Sequence, residues 1–553
     1  MFDGEVVTSI NDDGDKEYGG LLILKHKVED FEFYTLYGHN KVRSVLKNKI
    51  GTKIKKGDEI AEIADYPENG NWAPHLHFQI MLSTLNYKID FPGVCYYNQI
   101  DVWKGLCPNP NLLFKSVDLN YTNDKSDDEL INYRKKHLGK SLKLHYEEPI
   151  NIVRGEGVYL ISKNGRKYLD TINNVAHVGH ENESVVIEGQ NQMSILNTNS
   201  RYLHKSINEL AEEIIQTLPE KLNVIHFVNS GSEANELAVR MMKSHTGSND
   251  IIVSENGYHG NTNICVDISS YKFDGKGGKG APENTHVIPM PTKFNGKHKG
   301  EEACEGYINE IKNSIKNLKS KCRDLGGFII EPIISCGGQV ELPDGFLKTA
   351  YDLIRENGGI CISDEVQVGC GRLGESFWGF ELHDVIPDII TIGKPLGNGH
   401  PIGAVVCTSE IAESFANGME FFNTFGGNPV SCSIATQVLK VIKNENLQKN
   451  AKTIGNYFKN ELKNLSDKYD IIGDVRGQGL FLGIEFVDHK MNPLFRETKY
   501  IVNRLKDFGI LASLDGPNNN VIKIKPPLIF NKDNCDTFIF YLNKILEEDF
   551  LNK

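Results

Sequence analysis

Two side chains 30 residues apart, Asp364 and Lys394, carry the most pointed chemistry in this chain. Each follows an apolar run, Ile360-Cys361-Ile362-Ser363 before the first and Ile389-Ile390-Thr391-Ile392-Gly393 before the second, so each sits where a strand ends. Strand ends of one sheet converge, and ligands of open α/β sheets gather at the carboxyl ends. An amine and a carboxylate so placed match what pyridoxal phosphate (PLP) needs: a lysine to form an imine with its aldehyde, and a carboxylate to keep its ring nitrogen protonated. A close opposite charge shifts a pKa by about 1–3 units, roughly 1.4–4 kcal/mol of bias toward the charged ring. Taken alone, the pair also describes a solvated lysine and a helix-capping aspartate.

A phosphate site is suggested nearby in sequence. The strand Val224-Ile225-His226-Phe227-Val228 runs into Asn229-Ser230-Gly231-Ser232-Glu233, after which Ala234, Leu237, Ala238 and Met241 mark one face of a helix. Free N–H groups and the positive helix end favour an anion there, with the Ser232 hydroxyl as a further donor. The dipole contributes only about 0.3–1 kcal/mol. Ser230 with Glu233 reads equally as an ordinary capping box.

The elements that must position these residues follow from the pattern. From about residue 205 onward, apolar strand runs alternate with amphipathic helical stretches, the mark of a mainly parallel sheet covered on both faces. Phe346, Leu347, Ala350, Leu353 and Ile354 recur at helical spacing, and Asn357-Gly358-Gly359 stops that helix before the strand that delivers Asp364. Residues 1 to about 115 instead read as short strands between Gly, Asn and Asp turns, an all-β segment. The polar stretch Asn120-Tyr121-Thr122-Asn123-Asp124-Lys125-Ser126-Asp127-Asp128 is the natural boundary. At 553 residues the chain needs at least two domains.

Taken in order, Ser230-Gly231-Ser232-Glu233-Ala234-Asn235, Tyr258-His259-Gly260, Glu331-Pro332, Asp364-Glu365-Val366-Gln367, Gly393-Lys394-Pro395 and Thr424-Phe425-Gly426-Gly427-Asn428-Pro429 resemble the class III aminotransferases across about residues 145–550. The resemblance implies the α/β fold type I of PLP enzymes, with a seven-stranded, mainly parallel sheet in a large domain and a small α/β domain beside it. It also implies a homodimer with shared active sites. The expected boundaries are a front β domain at 1–118, a linker at 119–145, the large domain at 206–449, and a small domain from 146–205 and 450–553. By the same resemblance Gly231 and Ser232 hold the cofactor phosphate, and Thr424 reaches it from the partner subunit. Tyr258 stacks on the ring, Val366 packs on the opposite face, and Gln367 approaches the ring hydroxyl. Asp364 pairs with the ring nitrogen. Lys394 carries PLP and then moves the substrate proton. Val475-Arg476-Gly477-Gln478-Gly479 matches the segment whose arginine grips a substrate carboxylate, and Glu331 the residue that masks that arginine.

Within the class, Asn173-Asn174-Val175-Ala176-His177-Val178-Gly179-His180, Leu196 through His204, Ser335-Cys336-Gly337-Gly338-Gln339 and Asn520 through Pro527 resemble the ethanolamine-phosphate phospho-lyases. That branch eliminates phosphate, and Arg201, Lys523 and Lys525 are then candidates to bind the substrate phosphate. The alternative within the class is an ω-aminotransferase that passes the amino group to a 2-oxo acid. At the front, Leu36-Tyr37-Gly38-His39 and Trp72-Ala73-Pro74-His75-Leu76-His77-Phe78 resemble the lysostaphin-type zinc peptidases over about residues 2–90. His39, His75 and His77 match its metal and catalytic histidines, but too little chain precedes His39 for the other two ligands, so a degenerate, metal-free module is expected. An alternative from another class is a peptidoglycan-binding or peptidase protein whose PLP domain is dead.

The totals limit the partners. A net charge of -12 speaks against nucleic acid. Eleven scattered cysteines without a CxxC pair fit reduced thiols in a cytoplasm. No apolar run approaches membrane-spanning length.

Overall fold

The computed structural model describes residues 2–29, 31–85, 87, 89, 91–96, 99–114 and 126–551, so positions 119–125 of the expected linker lie outside the described residues. The chain divides into two compact units, residues 1–154 with 160–167, and residues 155–159 with 168–553.

In the first unit the alternating runs form a five-stranded antiparallel sheet, ordered Lys53–Ile54, Gly4–Asp12, Gly19–Val28, Phe31–Asn40, His77–Met81. Leu21, Ile23 and Leu36 pack on one side with Tyr18, Met81 and Phe91, and Val6, Leu22 and Leu24 on the other with Val45 and Ile54. The period of two along each strand produces this division.

The second unit is built on a seven-stranded sheet, ordered Thr285–Ile288, Asp250–Ser254, Leu325–Ile330, Ile360–Asp364, Ile389–Ile392, Gly403–Cys407, Val224–Val228. The first five are mutually parallel; Gly403–Cys407 runs against both of its neighbours, so six strands point the same way. Near-continuous Ile and Val runs are what a sheet buried on both faces requires. Ile251, Val253, Ile329, Ile362 and Val405 pack with Leu237, Ala238 and Met241 of the Gly231–Thr246 helix. Ile252, Phe328, Ile330 and Cys361 pack on the other face with helices Ala303–Ser320 and Phe346–Glu356. Each fully buried aliphatic side chain contributes about 1.5–3 kcal/mol. A second sheet, entirely antiparallel, is ordered Ile472–Gln478, Phe481–Phe486, Val521–Ile524, Ser513–Asp515.

Because six strands share a direction, their carboxyl ends share an edge of the sheet. Ser230, Tyr258, Glu331, Asp364 and Lys394 all fall at or just after such ends.

Candidate active site

At that edge lies a cavity of about 320 Å³. Gly231, Ser232, Tyr258, Asp364, Val366, Gln367 and Lys394 all line it, so seven residues drawn from four separate segments are brought together. The Ser230 hydroxyl caps the Gly231–Thr246 helix by accepting from Glu233 N at 3.2 Å. The capping box is not reciprocal, because the Glu233 carboxylate accepts from Asn229 and Asn423 instead. A Cβ at Gly231 would lie 2.7 Å from Val366 Cγ1, so only glycine leaves this helix start open beside the valine.

Two side chains not expected at the site, His259 and Asn235, hold Asp364 together with the Val366 backbone. Its Oδ2 accepts from His259 Nδ1 and from Asn235 Nδ2, each at 2.8 Å, and its Oδ1 accepts from Val366 N at 3.1 Å. Asn235 stands one helical turn beyond Gly231, on the same face, and that spacing is the signal by which it could have been found. Burial lowers the Lys394 amine below the ordinary lysine range, although Asp364 and Glu331 pull the other way. A lysine biased toward its neutral form beside a fixed carboxylate suits an aldehyde cofactor with a basic ring nitrogen. The donor set at Ser232 and the helix start suits its phosphate. The residues present therefore fit PLP.

Glu331 is buried and accepts from Tyr258 N at 3.4 Å and from the Ser335 hydroxyl at 2.5 Å. Burial, with Asp364 nearby, pushes its pKa up to about 7. The structure does not bring Glu331 to Arg476. That guanidinium donates to Gly338 O at 2.8 Å and pairs with Asp474 at 2.9 Å and Glu485 at 2.6 Å, and it faces a separate cavity of about 510 Å³. The carboxylate-gripping role expected of Arg476 therefore gains no support from its position; the side chain is a buried ion-pair centre. Asp474 is two residues earlier on the same strand, hence on the same face, a signal the sequence did contain. Arg201 is exposed, paired with Glu420 at 3.0 Å and stacked 3.8 Å from the Phe422 ring. Thr424 is likewise exposed, and neither lines the cavity of its own chain.

Lys523 and Lys525 come from strand Val521–Ile524 and the residue after it. Lys523 pairs with Asp515 at 3.4 Å. Lys525 is buried, its amine lies 3.4 Å from Gln367 Oε1, and burial with Lys523 nearby lowers its pKa to about 7. Both lysines are close enough to act electrostatically on Lys394.

Comparison with known proteins identifies this constellation. The family model for aminotransferase class III matches residues 143–546. The chain belongs to the class III aminotransferases. It is therefore a PLP-dependent enzyme of that family. A Drosophila melanogaster protein named alanine–glyoxylate aminotransferase 2-like is 44% identical over 431 residues, 76% of this chain and 87% of that protein. The Caenorhabditis elegans ethanolamine-phosphate phospho-lyase homolog 1 is 37% identical, over 76% of this chain and 94% of that protein. Among solved structures, a phospholyase from Arthrobacter in complex with phosphoethanolamine matches with a TM-score of 0.73 at 35% identity, covering 75% of this chain and 99% of that one. A Bacillus anthracis aminotransferase matches with a TM-score of 0.70 at 26% identity, covering 76% of this chain and 98% of that one.

The model for peptidase family M23 matches residues 1–89 of this class III enzyme. There His39 lies with its ring centroid 4.5 Å from that of His75 and 5.8 Å from that of His77. His39 Nδ1 contacts Asn69 O at 2.9 Å and His77 Nε2 contacts Gln79 Oε1 at 2.9 Å. Among the described residues no group of three or more His, Cys, Asp or Glu is arranged to hold a metal ion.

Proposed function

We propose that this enzyme removes phosphate from a small primary amine that carries a phosphate ester on the neighbouring carbon, an ethanolamine-phosphate-like substrate. The observation that carries this reading is the pair Lys523 and Lys525 within electrostatic reach of Lys394, just behind the cavity lining, where Lys525 makes no ion pair of its own among the described residues although Asp515 acts on it from a distance. A phosphate dianion is the anion that suits this pair, since its charge would draw a proton onto Lys525 and complete two ammonium groups, and it becomes the leaving group when retained through bond cleavage. The likeness to a phospholyase in complex with phosphoethanolamine supports the same substrate class.

Bound PLP supplies an aldehyde for the substrate amine and a pyridinium that withdraws electrons. Asp364, fixed by His259 and Asn235, keeps the ring nitrogen protonated. Lys394 takes the proton from the carbon that bears the amine. Lys523 and Lys525 hold the phosphate as its C–O bond breaks. A second reading, transfer of the amino group to a 2-oxo acid, draws on the 44% identical relative named as an aminotransferase.

The working unit is a homodimer in a reducing compartment such as the cytoplasm. Support for the dimer comes from exposed apolar side chains, including Met193, Ile195, Leu203, Phe422 and Phe425, close in sequence to Arg201 and Thr424. Support for the compartment comes from eleven free cysteines.

Alanine at Lys523 or at Lys525 is expected to raise the KM for phosphoethanolamine by about 10- to 100-fold, as loss of a hydrogen bond to a charged group implies. An unchanged KM in both variants would remove the basis for phosphate recognition by these lysines.

A further inference from the structure

Gln367 lines the Lys394 cavity, and its amide oxygen is already taken. Asn174 Nδ2 donates to Gln367 Oε1 at 2.8 Å, and Lys525 Nζ donates to the same oxygen at 3.4 Å. All three side chains are buried. A primary amide has one accepting end and one donating end. With the oxygen held from two directions, Nε2 is the end left for the cavity, and no acceptor among the described residues takes it.

The two donors stand on one frame. Asp170 Oδ1 accepts from Ile172 N, Asn173 N and Asn173 Nδ2, and Asp170 Oδ2 pairs with His180 at 2.7 Å, which fixes the turn that presents Asn174. Thr171 in the same turn accepts from the backbone N–H of Lys525 at 2.6 Å. Asn174 and Lys525 therefore keep a constant separation around the glutamine.

We propose that Asn174 and Lys525 are positioning residues that set the orientation of the Gln367 amide, so that its N–H and not its carbonyl meets the ring oxygen of bound PLP. A donor at that oxygen stabilises its ionised form, which weakens its hold on the proton of the Lys394 nitrogen. Were the amide free to turn, its carbonyl would face the ring oxygen with the opposite effect. The inference holds whichever reaction the site performs, since it concerns the resting holoenzyme.

The test is a pH titration of the visible absorbance band of the PLP-loaded enzyme. Asn174 is neutral, so Asn174→Ala changes the amide's support without removing a charge. Its titration midpoint is expected to rise by about one unit, the scale of a hydrogen bond to a charged group. Gln367→Ala should give a similar rise, and the double variant should rise no further than Gln367→Ala alone. If Asn174→Ala does not fold, the isosteric Asn174→Asp takes its place. Its carboxylate forces the amide to turn, and its effect should largely vanish when Gln367→Ala is also present. An unchanged midpoint in Asn174→Ala, or a rise from either Asn174 variant that persists in full alongside Gln367→Ala, would overturn the proposal.

Discussion

Burial, more than any neighbouring charge, sets the reactivity of Lys394. Its amine is desolvated, and the nearby Asp364 and Glu331 only partly restore the charged form. Only a neutral amine attacks an aldehyde, so a lowered pKa enlarges the reactive fraction at a given pH. The rate at which apoenzyme takes up PLP should therefore rise with pH through a midpoint below the ordinary lysine range of about 10.4, measured by stopped-flow absorbance. A midpoint at or above that range would show that the two carboxylates outweigh burial. At this scale the sequence was informative where a residue type is demanded by the chemistry, as with Lys394 and Asp364. It was mute where a residue acts by holding another. Nothing in the local pattern of Asn174 or His259 announces that the first supports Gln367 and the second Asp364; Asn235 alone is marked, by its spacing of one helical turn from Gly231.

The strands of the large sheet were legible because a sheet covered on both faces needs near-continuous apolar runs, and Ile360–Asp364, Ile389–Ile392 and Val224–Val228 come close, each carrying only one or two polar residues. The surroundings of Arg476 were not, because its partner Glu485 lies across a hairpin whose register shifts between Ile472 and Asp474. Between elements, close approach is decided by glycines that no periodicity reveals. Gly455 lies inside the Leu447–Lys468 helix, where a Cβ would come within 2.2 Å of Gly479 O. Gly479 itself has a φ of +54°, and a Cβ there would stand 2.5 Å from Arg372 O. In an exposed helix interior, glycine to alanine gains about 0.5–1 kcal/mol. Here the sign should reverse: Gly455→Ala is expected to cost about 1–3 kcal/mol, because backbone must move to admit the methyl group. Chemical denaturation of the holoenzyme checks this, and a stabilised variant would mean that the helix and the turn approach less closely than described.

At the scale of the whole molecule, the change in periodicity marks a front β-sheet ahead of the larger α/β unit, but the first compact unit runs on to residue 154, takes in 160–167 and includes the helices Ile100–Leu106 and Asp127–His137, beyond the boundary expected at 118. The part played by the front unit was not legible, since its histidines are engaged with Asn69, Gln79 and Ala73 and form no metal cluster among the described residues. The apolar side chains left on the surface of the larger unit bear on assembly. Leu203 is fully exposed, an unfavourable state for a leucine unless another surface covers it. Sedimentation should give a mass near twice the 62.0 kDa of the chain, and Leu203→Asp should shift it toward the monomer. A monomeric parent enzyme would leave Thr424 without a phosphate to reach. The reaction itself is tested most directly by adding phosphoethanolamine to the PLP-loaded enzyme and measuring phosphate and acetaldehyde together. Release of both in equal amounts is expected, abolished in Lys394→Ala. A bound-cofactor absorbance band without phosphate release, together with formation of an amino acid from a 2-oxo acid, would contradict phosphate elimination in favour of transamination.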